Sequence, residues 1–236
     1  MKKIFIIAAK ELKSYFRSPI AYIVLVITIS IFNMFFFVLI NEGQEATLRD
    51  ILTIMEFMFI FIIPLLTMKI FAEEKQTGTI EFLVTTPTTN TVIVLGKFLG
   101  SLLFFTLLMS VSIFYYIIIE IFASPDKWTI LSGIAGIWLE GVMFVAIGVL
   151  TSSWTRNQIL AAITSYVILF LLFFSLSFTE HVGGNAAILI RYFSTKTHAE
   201  NFIAGLINTV DVVYYLSAIF ICLTLTRLSV ENRLWR

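Results

Sequence analysis

Acidic residues within long apolar segments are the residues of this sequence with the clearest chemical potential. Glu140 lies near the middle of one such segment, and Glu56 and Asp211 lie closer to the ends of two others. A carboxyl group inside a membrane is costly, so it commonly marks an ion path or a hydrogen bond between helices. Both interpretations stay open for Glu140, because Gly133 and Gly136 on a similar helix face would allow a tight structural interface. We expect Glu56 and Asp211 to lie near the membrane surface, where their side chains reach water.

The two histidines, His181 and His198, both lie in the segment 179–209. Imidazole is a common metal ligand and a frequent acid–base catalyst. His198 and Glu200 have the H-x-E spacing of zinc deaminases, but the P-C-x-x-C half of that signature is absent. We therefore predict surface histidines, no metal site and no catalytic residue. A membrane enzyme or assembly factor that uses these histidines remains as an alternative.

The composition is that of an integral membrane protein. Of the 236 residues, 59% are hydrophobic and only 13% are charged, and the mean hydropathy is +0.97. A soluble domain is about half apolar and a quarter charged. These values exclude an ordinary soluble domain and a disordered chain, and the single cysteine, Cys222, excludes a disulfide scaffold. The net charge of +1 shows no basic excess, so we expect no nucleic-acid partner.

Six apolar segments are long enough to cross a bilayer, which takes about 20 helical residues. They cover residues 20–40, 51–68, 98–119, 128–150, 159–178 and 206–226. Because a backbone in lipid must satisfy its own hydrogen bonds, we expect each segment to be a helix. We therefore predict an all-α integral membrane protein. An amphipathic interfacial helix over residues 1–19 would precede a six-helix transmembrane domain over residues 20–236.

Positive charges are divided unequally between the two sides that these spans define. One side has twelve of the 16 lysine and arginine residues: Lys2, Lys3, Lys10, Lys13, Arg17, Lys69, Lys75, Lys97, Arg156, Arg227, Arg233 and Arg236. The other side has the remaining four: Arg49, Lys127, Arg191 and Lys196. Since cytoplasmic loops carry the excess of lysine and arginine, we predict that both termini are cytoplasmic.

The N-terminal segment has the pattern of a basic amphipathic helix. Its positive face carries Lys3, Lys10, Lys13 and Arg17. Its apolar face carries Phe5, Ala8, Ala9, Leu12 and Phe16. Ser18-Pro19 should end the helix, because a residue before proline leaves the helical region. Such a helix lies in the plane of the membrane surface, and the alternative is a topology anchor that only supplies positive charge.

The longest loop on the basic side covers residues 71–87. Glu73 to Lys75 are expected to continue the second span into water, and Gly78 permits a sharp reversal. Thr79 can cap a short helix from Ile80 to Thr85, which a proline then ends. Two alternatives stay open: this helix docks into a groove of a soluble partner, or its apolar side chains pack back onto the bundle.

The segment 179–209 on the other side is only about half polar and favours two short helices, at 186–193 and 198–207. We expect both to dip partly into the membrane, since irregular backbone is tolerated there when protein covers it. The prediction is a re-entrant helical hairpin.

The arrangement as a whole resembles the ABC-2-type permeases, the membrane subunits of ATP-binding-cassette exporters. The sequence has no G-x-x-x-x-G-K-[ST] phosphate loop with which to bind ATP itself. The resemblance rests on the hairpin between spans five and six, on the basic helix that ends in Phe16-Arg17-Ser18-Pro19, and on the string Glu73-Glu74-Lys75-Gln76-Thr77-Gly78-Thr79-Ile80-Glu81 followed by Pro87. The short length and the tail Glu231-Asn-Arg-Leu-Trp-Arg are most similar to the subgroup found with gliding-motility systems and nitrous-oxide-reductase maturation.

The resemblance implies a multi-pass permease of the bacterial inner membrane that forms half of an export pathway. It implies a second permease chain, in a homo- or heterodimer, and a separate ABC ATPase subunit that binds ATP and Mg, with no cofactor bound by this chain. The ATPase-coupling interface would consist of Glu73, Glu74, Thr77, Gly78, Thr79, Ile80, Glu81, Phe82, Leu83 and Pro87. The alternative is an ATP-independent secondary transporter or channel that uses Glu140 or Asp211 as its ion-coupling group.

Overall fold

The computed structural model describes residues 2–41, 48–79, 88–122, 125–179 and 183–232. These residues form α-helices joined by short turns, without a β-strand among them, so the all-α prediction is confirmed. The helices in the described part of the chain are α1 (Lys2–Arg17), α2 (Pro19–Asn41), α3 (Arg49–Thr67), α4 (Lys69–Gln76), α5 (Asn90–Met109), α6 (Val111–Phe122), α7 (Lys127–Trp154), α8 (Gln158–Phe178), α9 (Asn185–Phe193), α10 (Thr195–Ile203) and α11 (Thr209–Asn232).

Six helical stretches in these ranges are long and apolar enough to cross a membrane, as predicted. They are Pro19–Ile40, Arg49–Gln76, Asn90–Phe122, Lys127–Trp154, Gln158–Ser177 and Thr209–Glu231. Several boundaries differ from the sequence expectation, most of all in the second, third and sixth stretches. The third stretch is longer than 98–119 and is interrupted at Ser110, the second continues through α4, and the sixth begins at Thr209. Gly205 has φ +88° and separates α10 from α11, so the apolar run from position 206 starts outside the helix.

α7 is the central helix of the bundle, and every residue from Gly141 to Ser153 is buried. It packs against α3, α5, α8, α10 and α11. Its glycines permit this because they lie where a larger side chain would collide with a neighbour. Gly136 faces the ring of Phe202, and Gly148 faces Thr67. By contrast, less than a third of the residues in the apolar stretches of α2, α8 and α11 are buried.

α1 lies against the first half of α5, at the end of the bundle that also holds α4. A Cβ atom at Gly96 would lie 2.6 Å from Ile7 Cβ, and one at Gly100 would lie 2.6 Å from Glu11 Cβ. Gly96 and Gly100, which have small-xxx-small spacing, therefore allow α1 to approach α5 closely. Lys3, Lys10, Lys13 and Arg17 are all exposed.

The buried face of α1 differs from the apolar face expected from its sequence. Ala8, Glu11 and Tyr15 are buried, whereas Phe5 and Phe16 are exposed. The reason is that Gly100 of α5 lies against Glu11 and the Ala8 carbonyl, and Tyr15 stacks on Phe104 of α5, so α1 turns this side toward α5. We call the end of the bundle that carries α1 the α1 face.

At the opposite end, α9 and α10 are joined at Ser194; α9 packs against α8, and α10 packs against α7. Tyr214 and Tyr215 of α11 donate hydrogen bonds to the Phe193 and Thr195 carbonyl oxygens. The second short helix, α10, runs from Thr195 to Ile203 and not over 198–207 as predicted. The positive φ of Gly205 accounts for the earlier end. That the two helices re-enter the membrane stays a prediction.

Replacing Gly100 by valine tests the contact between α1 and α5. A Cβ there would also lie 2.9 Å from the Ala8 carbonyl oxygen, which is backbone and cannot move aside by rotation. We expect Gly100→Val to destabilise the protein by about 1–3 kcal/mol and to expose α1 to protease. Thermal denaturation in detergent measures the effect, and Gly183→Ala is the control because its added Cβ would meet nothing within 4 Å. An unchanged midpoint for Gly100→Val would contradict the assigned packing.

Candidate functional site

The junction between α3 and α4 is the best-connected feature of the α1 face. The helix is interrupted at Met68, which leaves backbone groups on either side without their usual helical partners. Ser152 of α7 accepts hydrogen bonds from the backbone N–H groups of Phe71 (3.0 Å) and Ala72 (3.1 Å). Its hydroxyl also donates to the Met68 carbonyl at 2.9 Å. One buried serine thus replaces several bonds that a continuous helix would make for itself.

Tyr15 of α1 supplies a second partner to the junction. Its hydroxyl donates to the Leu66 carbonyl at 2.9 Å and lies 3.2 Å from the hydroxyl of Ser101. The ring stacks on Phe104 with centroids 4.7 Å apart. Burial raises the pKa of the Tyr15 phenol, so the hydroxyl keeps the proton that it donates.

Lys97 of α5 supplies the third partner. Its Nζ atom lies 2.7 Å from the Ile70 carbonyl oxygen, 2.8 Å from Glu74 Oε1 and 3.4 Å from Glu11 Oε2. The contacts with Ile70 and Glu11 are hydrogen bonds, and the contact with Glu74 is an ion pair. The side chain of Lys97 is only 2% exposed. We call Glu11, Ile70, Glu74 and Lys97 the Lys97 cluster, and it joins α1, α4 and α5.

Lys75 connects the C-terminal end of α4 to α7. It is buried and donates to the Ser153 carbonyl of α7, which also accepts a hydrogen bond of 3.1 Å from Ser229 of α11. The expectation that Glu73 to Lys75 lead the second span into water is therefore wrong for Lys75. α4 packs against the end of α7, with Phe71, Ala72 and Lys75 buried.

Five of the predicted coupling residues lie in the described part of the chain. Glu73 and Glu74 belong to α4, and Thr77, Gly78 and Thr79 follow it. Glu73, Thr77, Gly78 and Thr79 are exposed, and Glu74 is partly buried in the Lys97 cluster. Gly78 has φ +73°, which is the conformation expected for a reversal. The Thr77 hydroxyl donates to the Glu73 carbonyl at 2.9 Å and closes the last turn of α4.

The predicted helix Ile80–Thr85 and the residues Ile80, Glu81, Phe82, Leu83 and Pro87 lie outside the described residues. A polar cavity of about 190 Å³ borders the described end of this segment. Its walls include Lys10 and Glu11 of α1, Glu74 and Thr79 beside α4, and Lys97. The segment that was predicted to meet a partner therefore begins on a polar, charged surface built from three helices.

The face opposite α1 holds a second polar cluster. His198 Nδ1 lies 2.5 Å from Asp211 Oδ1, and His198 Nε2 lies 2.9 Å from the Tyr192 carbonyl oxygen. Asn201 donates to the other Asp211 oxygen at 2.9 Å. The Tyr214 ring stacks on the imidazole of His198, with ring centroids 4.1 Å apart. The expectations of a surface His198 and of an Asp211 that reaches water are both wrong, because α10 covers the start of α11. His181 lies outside the described residues.

Glu56 and Glu140 are both 1% exposed, on the neighbouring helices α3 and α7. None of their carboxyl oxygens has a hydrogen-bond partner among the described residues, although Thr195 lies beside Glu140. The two carboxyl groups lie close enough to interact electrostatically. The prediction that Glu56 reaches water is wrong, since α10 lies over this end of α3. For Glu140, the interpretation as a structural hydrogen bond finds no partner in the described part of the chain.

No group of three or more His, Cys, Asp or Glu side chains within the described ranges could hold a metal ion. The connections that sequence reasoning missed are those of Glu11, Tyr15, Lys97 and Ser152. One signal was present: Lys97 lies between the two glycines of a small-xxx-small pair near the start of a span. A lysine at such a position needs a carboxylate partner, and Glu11 and Glu74 were the candidates on the same side.

Removing the Lys97 ammonium tests the cluster. We expect Lys97→Met to destabilise the protein by about 3 kcal/mol, because Glu11 and Glu74 would remain largely buried without their cation. Hydrogen exchange of the α4 amides should rise together with the loss of thermal stability. Lys127→Met is the matched control, since the Lys127–Glu120 ion pair is exposed and should contribute little. Equal behaviour of the two variants would contradict a special role for Lys97.

Glu140 and Asp211 are expected to respond oppositely to an apolar substitution. Glu140→Met should stabilise the protein by about 1–3 kcal/mol, since it replaces a buried group without a hydrogen bond by an apolar side chain of similar length. Asp211→Leu should destabilise it by a similar amount, because His198 and Asn201 would lose their acceptor. Denaturation midpoints in one detergent give both values, and a destabilised Glu140→Met would point to a partner for this carboxyl.

Comparison with known proteins agrees with an architecture of six candidate membrane helices. No curated protein matches the sequence. The family model described as "ABC-2 family transporter protein" matches residues 5–222, from α1 into α11, and so covers nearly the whole chain. The chain therefore belongs to the ABC-2 family of transporter proteins and is a multi-pass membrane permease of the ABC transporter type.

Proposed function

We propose that the chain forms half of an ATP-driven export pathway and that the segment from Glu73 to Pro87 binds a separate ATPase subunit. The observation that carries this proposal is the Lys97 cluster. It fastens α4, which leads into that segment, to α1 and α5 through contacts of 2.7–3.4 Å. A force applied to a segment anchored in this way would reach the bundle instead of bending a loose loop.

The route from the segment into the bundle follows the bonds of α4. Lys75 and Ser152 connect it to the end of α7, and Tyr15 connects the junction at Met68 to α1. A partner that pulls the segment would therefore move α1, α4 and the ends of α5 and α7 together. This is a rigid-body transmission across a docked helix.

The proposal carries further expectations from the family. The second half of the pathway would be another permease chain, the same or a different one, and ATP and Mg would be bound by the ATPase. The excess of lysine and arginine on the α1 face supports cytoplasmic termini in a bacterial inner membrane. The similarity to permeases of gliding-motility systems and nitrous-oxide-reductase maturation suggests the subgroup.

Co-purification from native membranes tests the partner. We expect the tagged chain to retain an ATPase that carries a phosphate loop, and Phe82→Asp to lose it without a change in thermal stability. A charge at this position would oppose insertion of an apolar side chain into a groove of the partner. Leu206→Asp is the matched control, because Leu206 is an exposed apolar residue between helices at the opposite end of the bundle.

Retention of the ATPase by Phe82→Asp would overturn the assigned docking segment. A chain that co-purifies with no ATPase yet moves ions into liposomes would favour the second candidate function, gradient-driven transport. That candidate is supported by the buried carboxyl groups of Glu56 and Glu140, which have no hydrogen-bond partner among the described residues. Asp211 supports it less, since His198 and Asn201 account for both of its oxygens.

A further inference from the structure

A polar pocket of about 390 Å³ opens on the α1 face where α1 meets α2 and α3 meets α4. Its wall carries two cationic side chains, Arg17 and Lys69, and the hydroxyl groups of Ser14 and Ser18. Glu73 is the one carboxylate among the described lining residues. Two cations against one carboxylate leave the pocket with an excess of positive charge.

The two cations are presented differently. Lys69 is half-buried, and its Nζ atom lies 4.5 Å from the centre of the Tyr15 ring, a cation–π contact that holds it at the wall. Tyr15 is itself fixed by its bond to the Leu66 carbonyl. Arg17 is exposed in the last turn of α1. The pocket thus combines one positioned cation with one that can adjust to a ligand.

An apolar groove of about 200 Å³ lies next to this pocket, between α2 and α3. Leu65 lines both spaces, so the two are adjacent. Ile27, Phe61 and Leu65 are each more than a third exposed, so the groove opens toward the lipid. The hydroxyl group of Thr28 in its wall already donates to the Val24 carbonyl at 2.7 Å and offers little to a polar ligand.

The dimensions match one leaflet of a bilayer. Ala21 lines the polar pocket, and Ile31 lines the groove. Ile31 is ten residues further along α2, which corresponds to a distance of about 15 Å along the helix axis. Half of the hydrocarbon thickness of a typical bilayer is also about 15 Å. A free phosphate would use only the polar pocket, whereas a phospholipid would fill both spaces.

We propose that this site binds one anionic phospholipid from the leaflet next to α1. Arg17 and Lys69 bind the headgroup phosphate, and an acyl chain lies in the groove between α2 and α3. Basic pockets between membrane helices hold anionic headgroups in this way. Because Lys69 and Glu73 belong to α4, the headgroup contacts the helix that leads to the coupling segment.

Native mass spectrometry of the full chain in detergent tests the proposal by titration with phosphatidylglycerol and with phosphatidylcholine of the same acyl chains. We expect phosphatidylglycerol to bind about tenfold more tightly. Arg17→Gln and Lys69→Gln should each lower its affinity about fivefold, the contribution of one cation near an anionic headgroup. Lys127→Gln is the control, since Lys127 is an exposed cation at the opposite end of the bundle.

Two variants fill the groove at residues that do not line the cationic pocket. Ile27→Trp and Ile31→Trp should weaken binding of both lipids, and the exposed Ile27 keeps the first variant compatible with folding. Glycerol 3-phosphate, a headgroup without chains, should bind far more weakly than phosphatidylglycerol. Equal binding of the two lipids, or an equal loss in Lys127→Gln, would overturn the proposal. Tight binding of glycerol 3-phosphate, unaffected by the tryptophan variants, would assign the pocket to a free phosphate instead.

Discussion

The backbone of a membrane helix has no water to bind when its hydrogen-bond ladder is broken, so every break needs partners from neighbouring helices. The break at Met68 between α3 and α4 meets this requirement through three residues from three different helices. Tyr15 donates to the Leu66 carbonyl before the break, and Lys97 donates to the Ile70 carbonyl after it. Ser152 donates to the Met68 carbonyl and accepts from two N–H groups that follow it. The positions of α1, α5 and α7 around this point are consequences of that requirement.

Close packing and charge pairing depend on each other at the same place. Gly96 and Gly100 allow α1 to approach α5 until Glu11 comes within 3.4 Å of the Lys97 ammonium. Lys97 in turn is stable at 2% exposure only because Glu11 and Glu74 offset its charge. A protein that must transmit motion benefits from this arrangement, since the connected helices respond as one body while the segment after α4 remains available to a partner.

Hydropathy and charge were sufficient to predict the class of fold and the number of candidate spans. They failed for Glu56 and Asp211, which were placed near water by their distance from span ends, and for His198, which was expected at the surface. Glu56 and Asp211 are buried because α10 covers them, and a covering helix leaves no signal in the segments that it covers. His198 lies on α10 itself and is buried where that helix meets Asp211 of α11. Lys75 failed for a related reason: it is buried through its contact with the Ser153 carbonyl of α7, which is distant in sequence.

The unequal burial of the spans has a consequence for biogenesis. The first span has a mean hydropathy of 2.8 and is 17% buried, whereas α7 has 2.0 and is 78% buried. The first can enter lipid alone, but α7 carries Glu140 and relies on neighbours on nearly every side. α3 and α5 precede it during synthesis, while α10 and α11 follow. If synthesis stopped after α7, the side of this helix that carries Glu140 would therefore face lipid. Membrane quality control could recognise a carboxyl group exposed in this way.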